Sequence, residues 1–416
     1  MNMATPQQPL VDGSRLWQSL MDMARIGGTS AGGVCRLALT DEDRRARDLF
    51  VDWCRQAHCD IRIDQIGNIF ARRRGTEAGR APVAMGSHLD SQPTGGKFDG
   101  VYGVLAGLEV IRTLNDRAIP TRAPVEVVAW SSEEGARFNP AMIGSGVFSG
   151  ALPLESILNA QDRADRRYGS ELQRIGYSGD RLPEDFRPGA HLELHIEQGP
   201  HLEAAGRTIG VVSGVQGICW YDVLVHGQAT HAGPVTMAMR RDPVKTAAAL
   251  ISGVYEFVDR CGPEARGTIG VLGAEPGSRN TVPHTVRFSV DLRHAEARRL
   301  NELDAALKQL AQRLSNPGVS IEVKDVWKVS PVVFDSNCVT AVRSAAASLG
   351  LSHQDIVSGA GHDSVYLSRV CPTAMIFIPC AEGLSHNEAE SATSDDVTAG
   401  ANVLLHACLQ LAGFAN

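Results

Sequence analysis

PVAMGSHLDSQPTGGKFDGVYGVLAGLEVI (Pro82 to Ile111), followed by VEVVAW (Val125 to Trp130), decides the fold. Pro82-Val-Ala-Met85 is a short apolar run and reads as a buried strand that leads into Gly86-Ser-His-Leu-Asp90. After a glycine-rich loop, Val101, Val104, Leu105, Leu108 and Ile111 recur at helical spacing, so a helix is expected from near Asp99. Val125 to Trp130 is the next strand. Strand, loop, helix and strand in that order predict a right-handed parallel crossover, hence an α/β domain with helices on both faces of a central, mostly parallel sheet. Sites in such sheets form beyond the carboxyl ends of the strands.

Further along the chain the pattern changes. Between 212 and 327 it reads as strand Tyr221–His226, helix Asp242–Arg260, strand Gly267–Leu272, strand Val286–Leu292, helix Ala295–Leu314 and strand Ser320–Val326. That βαββαβ order fits a separate ferredoxin-like α+β unit, and Asp242-Pro243 is a good helix start because Asp caps and Pro suits the first turn. Helix Ser336–Leu349, strand Thr373–Ile378 and helix Asp395–Leu411 then complete the first domain. The expected domains are therefore 1–211 with 328–416, interrupted by an insertion at 212–327.

Composition narrows the function. A chain of 416 residues with 43% hydrophobic and 21% charged residues can bury a sizeable core. The 40 Lys and Arg against 47 Asp and Glu give a formal charge of −7, without a long basic run, which argues against nucleic acid as a partner. Val125–Trp130 and Thr373–Pro379 are among the longest apolar runs, far short of the roughly 20 residues of a membrane span. MNMATPQQPLVDG lacks a basic region followed by an apolar stretch, so a cytoplasmic location is expected. Nine scattered cysteines without a CxxC pair read as reduced packing thiols.

Five side chains competent for hard metals, His88, Asp99, Glu134, His195 and His386, fall at strand ends or in the loops that follow. His88 and Asp90, two apart on an extended segment, share a face, and the Asp90 carboxylate is expected to accept the imidazole N–H. In His191-Leu-Glu-Leu-His-Ile-Glu197 the leucines and isoleucine form one face and the acids and imidazoles the other; taken alone the segment reads as a half-exposed strand with a solvated polar face. Glu133-Glu134 directly follows a buried strand, and adjacent carboxylates point apart, so one could bind metal while the other handles a proton. Asp99 is expected both to cap its helix and to bridge two cations. Mixed imidazole and carboxylate donors suit Zn, Mn, Co or Ni, not Ca or a thiolate site.

These residues resemble the co-catalytic metallopeptidase superfamily, and within it the amidase, hydantoinase/carbamoylase family that includes N-carbamoyl-L-amino-acid hydrolases. GSHLDSQPTGGKFDG (Gly86 to Gly100), EEGARF (Glu133 to Phe138), HIEQGP (His195 to Pro200), GQATHAGP (Gly227 to Pro234), GSRNTVP (Gly277 to Pro283), DLRH (Asp291 to His294), GAGHD (Gly359 to Asp363) and SHNEAE (Ser385 to Glu390) occur in the family's order. The resemblance implies one metal on His88, Asp99 and His195 and a second on Asp99, Glu134 and His386, two divalent ions in all, with Glu133 as general base and Asp90 in support. It implies that the insertion is a dimerisation or lid domain, and that His231 is delivered to the partner's active site of a homodimer to stabilise an oxyanion. Gln198, Asn280 and Arg293 resemble substrate contacts, the last two toward a carboxylate, for which a guanidinium fork is suited. On its strand Arg293 lies with Arg287, Ser289 and Asp291 on the face away from the core. His362 and Asp363 of the glycine-rich Gly359-Ala-Gly-His-Asp363 segment, with Gly361, are read as lining the cleft, a structural turn role being the alternative.

The implied reaction is hydrolysis of an N-carbamoyl-L-amino acid to the amino acid, ammonia and carbon dioxide. Allantoate or another ureido acid, including a beta-ureidopropionase substrate, is the alternative, and a non-catalytic binding protein on the same scaffold is the rival from another class. His58, His353 and His406 match no motif and are read as structural or exposed.

Overall fold

The structure is a computed structural model and describes residues 8–77, 79–183 and 186–414. The chain divides into two compact units, Met1–Ser213 with Phe334–Asn416, and Gly214–Val333. The divisions fall two residues after the expected start of the insertion and six after its expected end, because strands at both junctions run past the residues whose pattern marks them.

The first unit opens with helices α1 (Gly13–Ala24) and α2 (Asp41–Gln56) and strands β1 (Asp60–Ile63), β2 (Ile69–Arg73) and β3 (Val83–His88). Helix α3 (Val101–Asp116) and strand β4 (Val125–Trp130) follow, then short helices α4 to α6 (Ile143–Phe148, Leu154–Leu158, Tyr168–Arg174), strand β5 (Ala190–Ile196), one-turn helix α7 (His201–Ala205) and strand β6 (Ile209–Val215). In the second unit come β7 (Gly217–His226), β8 (Thr230–His231), α8 (Pro243–Cys261), β9 (Arg266–Thr268), β10 (Leu272–Glu275), β11 (Thr281–Val282), β12 (Thr285–His294), α9 (Ala297–Leu314), β13 (Ser320–Val329) and β14 (Val332–Val333). The chain returns through α10 (Ser336–Ser348), β15 (His353–Ser358), α11 (Asp363–Leu367), β16 (Thr373–Ile378) and α12 (Ser394–Ala412).

The first sheet runs β1-β2-β4-β3-β5-β16-β6, with β15 also on β6. Its centre, β4-β3-β5-β16, is parallel, and the strands next to it on both sides are antiparallel. Parallel strands buried on both faces carry apolar runs, and β3, β4, β5 and β16 are buried at every position. The half-exposed reading of 191–197 is therefore wrong: β5 lies between β3 and β16, and its polar side chains are buried against other polar groups rather than solvated. Helix α3 is apolar nearly all round because both its sides are covered, and its one buried acid, Glu109, is clasped by Arg15 at 2.7 and 2.8 Å.

The second unit has an antiparallel sheet ordered β13-β7-β12-β10, with β9 also on β12. Numbered by the βαββαβ pattern this is 4-1-3-2, the ferredoxin-like order, and Leu250, Val254, Leu303 and Leu307 of α8 and α9 bury themselves against Val223, Phe288 and Val290. Asp242 caps α8, accepting from the amides of Val244 and Lys245 with Pro243 in the first turn. The single strand expected over Gly267–Leu272 is two. β9 pairs with Asp291–Arg293 and β10 with Thr285–Phe288. Between them the pairing is irregular: the Ser289 amide donates to the Val271 carbonyl at 3.1 Å, while the Ser289 hydroxyl accepts the Val271 amide at 3.0 Å.

Helix α3 approaches β5 so closely that a Cβ on Gly103 would lie 2.3 Å from the Leu194 carbonyl oxygen. Gly103→Ala should therefore destabilise the first unit by about 1–3 kcal/mol, the usual penalty for overpacking. The check is a lowered urea midpoint with an unchanged slope.

Candidate active site

The parallel strands all end at one edge, and the side chains of interest gather there. β3 ends on His88, β5 carries His195 as its penultimate residue, and Ser131 to Glu134 follow β4 directly. Asp99 comes from the turn before α3. It does not cap the helix as expected: Gly100 occupies the N-cap, and no side chain caps it. The Asp99 carboxylate is turned instead toward the histidines. Gly100 permits this, with φ of 67° and a position where any Cβ would sit 2.3 to 2.4 Å from the His88 ring.

Two groups form around Asp99, each with its donor atoms within 4.8 Å of one another: His88, Asp99 and His195, and Asp99, Glu134 and His386. Oδ1 of Asp99 lies 3.6 Å from His88 Nε2 and 3.2 Å from His195 Nε2. Oδ2 lies 3.4 Å from His386 Nε2, which is itself 3.4 Å from Glu134 Oε2. The backbone sets the tautomers. His88 Nδ1 is 2.9 Å from the Asp90 carbonyl, and His195 Nδ1 is 2.9 Å from the Ile196 carbonyl, so each Nδ1 carries the proton. The His195 Nε2 also accepts the Gly100 amide at 3.1 Å. Both imidazoles thus turn a lone pair toward a carboxylate, an arrangement of acceptors that needs a positive charge between them. Glu134 Oε1, buried without a hydrogen-bond partner, adds another waiting acceptor. The residues fit divalent cations, and the donor set of imidazoles and carboxylates fits the transition-metal group rather than calcium.

Asp90 works differently from the expectation. Its carbonyl, not its carboxylate, orients His88; the carboxylate is 3.9 Å from that ring and instead accepts the amides of Glu133 at 3.1 Å and Glu134 at 3.3 Å. It therefore fixes the backbone carrying both glutamates. Their side chains diverge: Glu133 Oε2 lies 3.6 Å from His88 Nε2, while Glu134 Oε2 accepts from Gln92 Nε2 at 2.8 Å. Gln198, held at a left-handed φ of 57°, donates to Asp99 Oδ2 at 3.0 Å, and its Oε1 is buried without a partner. His362 is buried, packs edge-on against His195 with ring centroids 4.6 Å apart, and meets the Ser358 hydroxyl at 3.1 Å. Gly361 precedes it on the exposed side of the loop.

Burial governs the electrostatics. It raises Glu133 well above the ordinary carboxylate range, His88 opposing and Asp363 reinforcing, and it lifts Glu134 to about 8 together with the nearby charge of Asp99. Asp99 is depressed well below that range despite its burial, because His195 and His88 stabilise its charge. His88 is correspondingly raised, its burial outweighed by Glu133, Asp99 and Asp90. His362 falls to about 3 through burial and the neighbouring His195, so it stays neutral.

His231, Asn280 and Arg293 belong to the second unit. His231 is exposed on β8, opposite Thr281 of β11, and the Ala232 amide donates to the Asn280 carbonyl at 2.8 Å. Its Nδ1 accepts the Gly233 amide at 3.1 Å, which leaves the proton on Nε2. Arg293 clasps Asp291, its neighbour on the face the alternation assigns to both, Nε at 3.1 and 3.2 Å and Nη2 at 2.9 Å.

The sequence model of peptidase family M20/M25/M40 matches residues 84–410. The chain belongs to this family. It is 44% identical over 412 residues to the N-carbamoyl-L-amino-acid amidohydrolase of Rhizobium meliloti, covering 99% of each chain. It is 40% identical over 408 residues to the N-carbamoyl-L-amino acid amidohydrolase of Geobacillus stearothermophilus, covering 97% of this chain and 99% of that one. The crystal structure of a hydantoinase/carbamoylase family amidase from Burkholderia multivorans is 51% identical, with a TM-score of 0.93 over 97% of this chain and 98% of the other.

Within the family motifs, sequence reasoning passed over Gln92, Ser385 and Glu390, which touch Glu134, Asp99 and the Asp99 amide respectively. The signals were present, since each lies inside a quoted motif, but polar residues in loops carry no periodicity to single them out.

Between about pH 7 and 8 an unfolded glutamate is ionised and an unfolded histidine mostly neutral. Folded Glu134, with its pKa near 8, still holds a proton there, and folded His88 is shifted upward in the same sense. The folded state then binds more protons than the unfolded one, so the stability of metal-stripped protein should fall as pH rises through this window. Cation binding displaces those same protons, so affinity should rise. Melting temperatures of stripped and manganese-loaded protein should therefore diverge as pH increases; parallel curves would contradict the assignment.

Proposed function

We propose that the protein hydrolyses the ureido C–N bond of N-carbamoyl-L-amino acids, giving the amino acid, ammonia and carbon dioxide, as a cytoplasmic homodimer. The observation that carries the reaction type is the placement of Glu133, buried beside His88 and held by Asp90 next to two groups of cation donors. The substrate class rests on the names of the two curated relatives. Nine unpaired cysteines accord with a reducing compartment.

His88, Asp99 and His195 would hold one divalent ion and Asp99, Glu134 and His386 a second. When bound, such ions polarise the ureido carbonyl and lower the pKa of water from about 15.7 toward 7. Glu133 takes a proton from the attacking water and passes it to the departing nitrogen; the carbamate that remains loses carbon dioxide. Burial raises the basicity of Glu133, which suits a group that must both accept and return a proton. His231, with its proton on Nε2, is a donor suited to the oxyanion formed on attack, and it would serve the active site of the partner subunit. Asn280 and Arg293 would take the substrate carboxylate, and Gln198, Gly361 and His362 would line the reacting end.

Ammonia release from N-carbamoyl-L-methionine and from allantoate, compared on stripped and manganese-reconstituted protein, tests the assignment. Metal-dependent turnover of the carbamoyl amino acid is expected. Preference for allantoate would keep the chemistry and change the substrate, and no turnover of either would favour a binding role. Glu133→Gln should lower kcat by about 10²–10⁴-fold, with manganese uptake unaltered. Mixing inactive His231→Ala with inactive Glu133→Gln subunits should recover activity in mixed dimers, and silence in confirmed mixed dimers would remove the shared site.

A further inference from the structure

Glu390 is a buried carboxylate the mechanism does not use. Its Oε1 accepts the backbone amides of Phe98 at 3.0 Å and Asp99 at 3.1 Å, and its Oε2 accepts the Ser385 hydroxyl at 2.9 Å. Space is kept for it. A Cβ on Gly96 would lie 2.1 Å from both the Glu390 carboxyl carbon and Oε1, so the second glycine of Gly95-Gly96 is what lets this carboxylate reach the amides.

Ser385 stands at a fork. Its oxygen is 2.9 Å from Glu390 Oε2, 3.2 Å from Asp99 Oδ2, and accepts from Gln198 Nε2 at 3.1 Å. A hydroxyl has one proton, so only one of the two carboxylates can receive it. The shorter contact, to a carboxylate whose other oxygen is already fixed by two amides, draws it to Glu390. Asp99 Oδ2 is then left with a single donor, Gln198, and keeps a lone pair for the side that faces His386. Asp99 Oδ1, which faces His88 and His195, takes no part in this competition.

We infer that Glu390 is a positioning residue that holds the Asp99 backbone and steers the Ser385 proton away from Asp99 Oδ2, keeping that oxygen open to the cation shared with Glu134 and His386. The inference rests on the reading of Asp99 as a ligand to two cations.

Glu390→Gln separates the possibilities. The glutamine carbonyl can keep both backbone amides, but its Nε2 must face Ser385 and donate to it. With Gln198 and Gln at 390 both donating to its oxygen, Ser385 has nowhere to send its proton except Asp99 Oδ2. Titration of the stripped full-length protein with Mn²⁺ alone, at pH 8 by calorimetry, should show two sites in the wild type. In Glu390→Gln one site should weaken about 10–100-fold, the scale of outer-partner effects on metal affinity, while the other site and the metal-free melting temperature stay as in the wild type. Ser385→Ala in the Glu390→Gln background removes the misdirected proton and should return the weakened site toward wild-type affinity. Unchanged binding in Glu390→Gln, equal weakening of both sites with a lowered metal-free melting temperature, or a double variant no tighter than Glu390→Gln would each overturn the inference. A wild type that takes up no Mn²⁺ would remove the reading beneath it and the inference with it.

Discussion

The first unit is organised around one electrostatic constraint: the Asp99 carboxylate is buried against two imidazoles that both present lone pairs. Acceptors facing acceptors in a site shielded from water cannot stand without positive charge, since an uncompensated buried charge costs several kcal/mol. In the metal-free protein the demand shows in two shifts of opposite sense, Asp99 depressed by His195 and His88 and His88 raised by its carboxylate neighbours. A pair of cations would meet it. The parallel sheet makes the convergence possible, because β3, β4 and β5 deliver His88, Glu133 with Glu134, and His195 to the same edge.

The surrounding backbone is shaped to that end at the expense of local comfort. Ser132, Met142, Gln198 and His386 all adopt left-handed φ between 53° and 57°, and each flanks or belongs to the site. Non-glycine residues in that region cost of order 1–3 kcal/mol and persist only where neighbours over-determine them. Here the neighbours are visible: Gln198 is tied to Asp99 and Ser385, the Met142 amide donates to the Glu133 carbonyl, and the Ile143 amide to that of Ser132. The same economy explains the carbonyls of Asp90 and Ile196, which set imidazole tautomers without using a carboxylate. Asp90 is thereby released to hold the Glu133 and Glu134 amides.

Much of this was legible in the residues because the strands and helices carry strong periodicity. β4 and β16 lie over the residues the pattern assigns, and α8 and α9 differ from it by one or two at their ends. The site residues were legible through motifs, since imidazoles and carboxylates at strand ends have few other reasons to cluster. What the sequence could not express was which atom of a residue does the work. Asp90 acts through its carbonyl toward His88, Asp99 leaves the cap to Gly100, and Arg293 is engaged by Asp291. Alternation also misled at 191–197, because a strand whose polar face meets other buried polar groups has the same pattern as one whose polar face meets water. Glu193 shows the difference, its oxygens taken by Ser87, the Ser364 hydroxyl and the Ser364 amide.

Two arginines near the catalytic groups of the first unit are held by its own residues. Arg137 of EEGARF is clasped by Asp162 at 2.9 Å and Glu171 at 2.7 Å, and the buried Arg36 donates to the carbonyls of Leu89 and Ile26. Both guanidiniums are committed to structure. In the second unit Arg293 likewise holds a carboxylate, that of Asp291 two residues away on the same strand face.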